Sequence, residues 1–142
     1  MKFVICALAA VLVSTASATS FKFNGVMKCD SPKIWCYTVE AKEIDLISND
    51  YIAEHRQCVN PSKILETPQS KLFENGDSEF KMAGTMDDDG ILDNYFEIAM
   101  YVSHNCTGTE QYIYDDYVEV PVTNDVYTMS RSYNLNTNKA ML

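Results

Sequence analysis

Two stretches of alternating apolar residues, each ending on a cysteine, constrain this chain most. The first runs Phe21-Lys22-Phe23-Asn24-Gly25-Val26-Met27-Lys28-Cys29, and the second closes Tyr101-Val102-Ser103-His104-Asn105-Cys106. In the first, Phe21, Phe23, Gly25, Met27 and Cys29 fall on one face of an extended chain, with Lys22, Asn24 and Lys28 opposite. In the second, Phe96, Ile98, Met100 and Val102 point inward by the same period of two. A sheet that is apolar on one face needs a second layer to cover it. Cysteines at the ends of such strands add a covalent staple.

The cysteines also indicate a compartment. Lys2, the apolar run Phe3 to Val13 and the small-residue site Ala16-Ser17-Ala18 have the form of a secretory signal peptide over residues 1–18. The run is too short for the roughly 20 residues that span a bilayer. Removing it takes away Cys6 and leaves one expected domain, 19–142, a length that buries a sizeable core. Four cysteines then remain: Cys29, Cys36, Cys58 and Cys106. An even number in an exported chain reads as two disulfides, with three possible connectivities. A zinc site would need Cys-x-x-Cys pairs or nearby histidines, and the two histidines are His55 and His104. No metal is expected, and no cofactor.

Period-two patterning continues through most of the chain. Trp35 to Ala41 alternates Tyr37, Val39 and Ala41 against Thr38 and Glu40. Ile44 and Leu46 take the opposite phase, which implies a bulge near Glu43. Asn75-Gly76, between Leu72–Glu74 and Glu79–Met82, has the form of a hairpin turn. Val118, Val120 and Val122 lead to Asn124-Asp125, and Tyr127 to Leu135 is expected as the last strand. From Ser48 to Ser70 the pattern lapses into a polar segment with Pro61, Pro68 and a weakly helical patch over Tyr51 to Gln57. A loop of that length is uncommon unless functional or tied down, and Cys58 offers a tether. The fold class is all-β, a sandwich of short strands.

Several of these segments together resemble the nematode transthyretin-like family. Phe23, Gly25, Met27 and Cys29 match its first strand, apolar-x-Gly-x-apolar-x-Cys. Val102-Ser103-His104-Asn105-Cys106 is similar to its apolar-x-His-x-Cys strand end. Asn75-Gly76-Asp77 with Phe80-Lys81-Met82 is similar to its intervening hairpin. The closing strand differs, because Thr128-Met129-Ser130-Arg131-Ser132 stands where the family has an Asp-x-Gly-Thr-like stretch. The 48–70 segment is longer than the usual connection. The resemblance implies a transthyretin-like (prealbumin-like) β-sandwich of about seven strands, secreted, with two disulfides. It places Cys29 near Cys106, leaving Cys36 to pair with Cys58.

Function is bounded mainly by exclusion. With 20 acidic against 11 basic side chains and a net charge of −9, the chain lacks the cationic footprint for nucleic acid or anionic lipid surfaces. Asp87-Asp88-Asp89-Gly90 invites a calcium reading, but its register as an EF-hand loop puts Phe96 where the bidentate acid belongs. It reads as a solvated acidic turn. His104 lies beside Cys106, whose oxidation removes the thiolate that a nucleophile needs. Transthyretin's enzymatic relatives, which hydrolyse 5-hydroxyisourate, end in Tyr-Arg-Gly-Ser; this chain ends Asn138-Lys139-Ala140-Met141-Leu142. No catalytic residue is therefore assigned, and the chain is not expected to be an enzyme.

Asn105-Cys106-Thr107 is a glycosylation sequon, although oxidation of Cys106 competes with its use. Tyr112 and Tyr114 share a strand face and lie near Tyr117; packing in the sheet is their default role. Exposed, they would instead be anchors for a partner. The expectation is a secreted, extracellular binding protein that contacts an extracellular or cell-surface protein or lipid through loops and a sheet edge. The alternative is a carrier of a small hydrophobic ligand in the manner of transthyretin.

Overall fold

The computed structural model describes residues 18–45, 48–64, 76–87, 94–123 and 125–141. They form nine strands: β1 (Thr19–Lys28), β2 (Trp35–Ile44), β3 (Asn49–Val59), β4 (Ser78–Met86), β5 (Tyr95–His104), β6 (Gln111–Pro121), β7 (Val126–Ser130), β8 (Ser132–Asn134) and β9 (Lys139–Met141). One helical turn, α1 (Pro61–Ile64), follows β3. Sheet A has the order β4-β1-β8-β9, with β7 also paired to β1, and sheet B the order β3-β2-β5-β6. No helix among the described residues is long and apolar enough to cross a membrane. The expected leader and the turn residues Asn75, Asp88, Asp89 and Gly90 lie outside the described residues.

The core is the set of inward positions that alternation selects. Phe21, Phe23 and Met27 from sheet A meet Trp35, Tyr37, Val39, Phe96, Ile98 and Val102 from sheet B in one buried cluster. Phe21 meets Phe96 edge-on across the layers, with ring centroids 5.4 Å apart. Such contacts add to the burial of large rings. Tyr37 brings a polar group into this core, and its hydroxyl lies 3.1 Å from Ser78 Oγ and donates to the Glu79 carbonyl at 3.2 Å. On the other flank the buried Tyr133 hydroxyl donates to Asp115 Oδ2 at 3.0 Å. Asp115 also pairs with Arg131 at 3.3 Å. Both contacts tie one sheet to the other.

Cys29 is bonded to Cys106 and Cys36 to Cys58. The first bond joins the end of β1 to the turn after β5, and therefore sheet A to sheet B. The second staples two directly paired residues of β2 and β3.

Three expectations are corrected. The polar stretch after Ser48 is not a loop: Asn49–Val59 pairs with β2 over its whole length. As an edge strand it needs little apolar surface, and its outward side chains pair with neighbours. Arg56 Nε donates to Thr38 Oγ1 at 3.2 Å, for example. The bulge does lie near Glu43, but the extra residue is in the partner strand β3, where Ile52 stands opposite Ala41 and Lys42, and β2 keeps its phase. Ile52 and Ala53 both turn inward there, and Glu43 keeps an inward, buried position. The expected last strand is broken into β7 and β8, with β9 beyond. The break falls at Arg131, whose N–H donates to the Asn24 carbonyl at 2.9 Å as the chain passes over β1. A Cβ on Gly25 would collide with the Arg131 carbonyl. Glycine is therefore required there for close backbone approach, not for an unusual φ.

Candidate functional site on the outer face of sheet B

Ile113 fixes the phase of β6. It points into the core, so Tyr112 and Tyr114 on either side point out, 66% and 52% exposed. Across the ladder Tyr101 stands opposite Tyr114 and Ser103 opposite Tyr112, while on the other side of β5 Glu40 faces Tyr101 and Thr38 faces Ser103. The short side chains Thr38 and Ser103 leave a depression of about 240 Å³ walled by Glu40, Tyr101, Tyr112 and Tyr114. The Tyr101 and Tyr114 rings are 5.1 Å apart. Tyr117 is also exposed, but it does not line the depression. The β6 residues Asp116 and Tyr117 together oppose Ala99 in a bulge, and the Tyr117 N–H donates to Asp116 Oδ1 at 2.9 Å.

Charged groups are woven between the rings. Lys42 Nζ lies 5.0 Å from the Tyr101 ring centroid, within cation–π range, and 2.6 Å from Glu40 Oε2. The Tyr114 hydroxyl lies 3.5 Å from Asp116 Oδ1. The Tyr112 phenol is shifted upward, first by its hydrogen bond to the Glu110 carboxylate. The Tyr114 phenol is also shifted upward, by partial desolvation and then by Tyr101 and Asp116. Both tyrosines are neutral hydroxyl donors near neutral pH. Sequence reasoning singled out Tyr112 and Tyr114 but missed Tyr101, Lys42 and Glu40. Their outward phase was available from the inward neighbours Val102, Val39 and Ala41.

The other candidate residues lie elsewhere. His104 is buried, with Nε2 3.0 Å from Asn138 Oδ1 and Nδ1 accepting from the Cys106 N–H at 3.4 Å. Burial lowers its pKa, and the Asn138 contact opposes that shift. With Nδ1 accepting, the ring is the neutral tautomer protonated on Nε2, and both nitrogens are occupied. His55 stacks on Tyr37 at 5.8 Å and contacts Gln57. Asn105 is exposed, but its Oδ1 accepts from the Cys36 N–H at 2.7 Å, while its own N–H donates to the Cys36 carbonyl at 3.2 Å. A glycan would join the amide nitrogen, which is not the atom engaged in that bond. Glu43, Asp45 and Asp50 bring carboxylate oxygens within 4.8 Å of one another around the β2–β3 turn. In this arrangement each residue offers one oxygen, whereas calcium takes six to eight or so.

Over 124 residues, 84% of this chain, the sequence is 28% identical to an uncharacterized protein of Caenorhabditis elegans, covering 83% of that protein. No protein-family profile matches the chain. No solved structure matches it.

Proposed function

We propose that this chain is a secreted, non-enzymatic recognition protein of the transthyretin-like kind. It contacts an extracellular or cell-surface partner through the tyrosine-bearing face and edge of β6. Residues 1–18 direct export, residues 19–142 form the mature domain, and Asn105 carries a glycan. Two disulfides suit an oxidising compartment, and the two facing sheets suit the family resemblance. The Caenorhabditis elegans relative is uncharacterized and adds neither a family nor an activity.

One observation carries the reading: Tyr112 and Tyr114 are held outward on a rigid sheet instead of being packed inside it. Rigid, half-exposed tyrosines are favoured anchors at protein interfaces. Their outward position favours a partner lying on the sheet over a ligand enclosed between the layers. His104 is not free to act as a general base, because both ring nitrogens are engaged.

The test is capture from extracellular fluid with wild-type protein and with Tyr112→Ala and Tyr114→Ala variants. Each substitution is expected to weaken the captured partner's affinity by about 1–2 kcal/mol with an unchanged thermal midpoint. Unchanged affinity in both variants would overturn the reading. So would an apolar small molecule extracted from the protein with no dependence on either tyrosine.

A further inference from the structure

The outer face of sheet B already holds one cation, and the manner of its holding suggests what else binds there. Lys42 seats its ammonium over the Tyr101 ring and against the Glu40 carboxylate. The same combination recurs one strand over without a cation. Tyr112 stands with Glu110, and Tyr114 with Asp116. Among the described residues no lysine or arginine pairs with Glu110 or Asp116. Between these groups lies the depression floored by β5 and β6, open beside Ser103 and Thr38.

From this arrangement we infer that the face binds the lysine or arginine side chains of a basic polypeptide, one of them entering the depression between Tyr101, Tyr112 and Tyr114. The inference rests on the recognition reading above and supplies the chemistry of its partner. Ring faces attract an ammonium or guanidinium through their quadrupole, and more strongly as water is excluded. Nearby carboxylates add charge complementarity, which steers encounter and selects against acidic partners. The net charge of −9 acts in the same direction.

Size decides between a polypeptide and a small organic cation. Pockets that bury a drug-sized ligand run to roughly 300–1,000 Å³ and enclose most of it. At about 240 Å³ and open to solvent, this depression holds one side chain, and affinity must come from neighbouring contacts along the same chain.

The test is titration of the purified protein with a peptide of alternating arginine and glycine, followed by NMR at about 0.15 M salt, where long-range attraction is screened. Shifts are expected at outward residues of β2, β5 and β6. Tyr114→Leu, which keeps the apolar bulk but removes the ring, should weaken binding about threefold to tenfold, and Tyr114→Phe should leave it nearly unchanged. Glu110→Gln should weaken it more than Glu79→Gln, which alters an exposed carboxylate on β4 in the opposite sheet. Equal affinity of the Leu variant and wild type would overturn the inference, as would equal effects of the two glutamates, since both mean diffuse attraction alone. Tetramethylammonium binding as tightly as the peptide would overturn the choice of a polypeptide. If the tyrosine variants lose the captured partner but not the peptide, the recognition reading survives and only this inference falls.

Discussion

His104 is built into the fold through both of its ring nitrogens. Its Nδ1 accepts a backbone N–H and its Nε2 faces Asn138 Oδ1, so the folded protein accommodates the neutral ring. Protonation would set a new N–H against the Cys106 donor. Burial lowers the pKa from its ordinary value of 6.5, and the sign of the linkage follows. Between the folded and unfolded values the unfolded chain binds the extra proton, so stability rises with pH across that window. The contribution is complete above about pH 6.5 and is lost as pH falls through the lowered folded value. Urea midpoints measured from pH 7.5 down to pH 5 should decline for wild type. In His104→Gln, whose amide can still accept and donate, that part of the decline should vanish. A variant with the same pH slope as wild type would remove His104 from this role.

At the scale of elements, legibility followed one-sided burial. β1 and β5 each present one apolar face to the core, so period-two reading placed them and selected Phe21, Phe23, Phe96, Ile98 and Val102 as inward. β3 escaped because it lies at an edge. Its outward positions hold Glu54, Arg56 and Cys58, and its inward side is interrupted by the Ile52 bulge. The break between β7 and β8 was hidden for another reason: it is set by the approach of Arg131 to Gly25, a contact between residues far apart in sequence. The tyrosines were ambiguous because β6 alternates Tyr112 and Tyr114 with Ile113 and Asp115, apolar bulk appearing in both phases. The buried Ile113, with Asp115 bonded to the buried Tyr133, shows which phase faces in.

An edge strand with so little buried apolar surface should depend on its staple. The Cys36–Cys58 bond closes a separation of 22 residues, worth about 3 kcal/mol in the chain-entropy model. Replacing both cysteines with serine should accelerate hydrogen exchange of β3 amides while those of β5, in the centre of the sheet, remain protected. Uniform acceleration across sheet B would mean that β3 is not a separately opening unit.

For the whole molecule, the decisive tie is the one between layers. Cys29–Cys106 spans 77 residues and joins sheet A to sheet B, where the Tyr37 and Tyr133 hydroxyls supply polar contacts on the two flanks. In the same entropy model a loop that size is worth about 4.5 kcal/mol before strain. A domain of this length has roughly 5–15 kcal/mol in total, so losing this bond removes a large share. Cys29→Ser with Cys106→Ser should therefore lower the urea-unfolding free energy more than Cys36→Ser with Cys58→Ser. The first substitution frees the layers from each other; the second frees only an edge. Urea unfolding of both pairs, with wild type under oxidising and reducing conditions as limits, checks the order. If loss of Cys36–Cys58 proves the more damaging, the sandwich is held chiefly by its core, and the staple between sheets is secondary. If the expected order holds, the reduced chain should populate unfolded forms readily, which ties this fold to an oxidising compartment by stability itself.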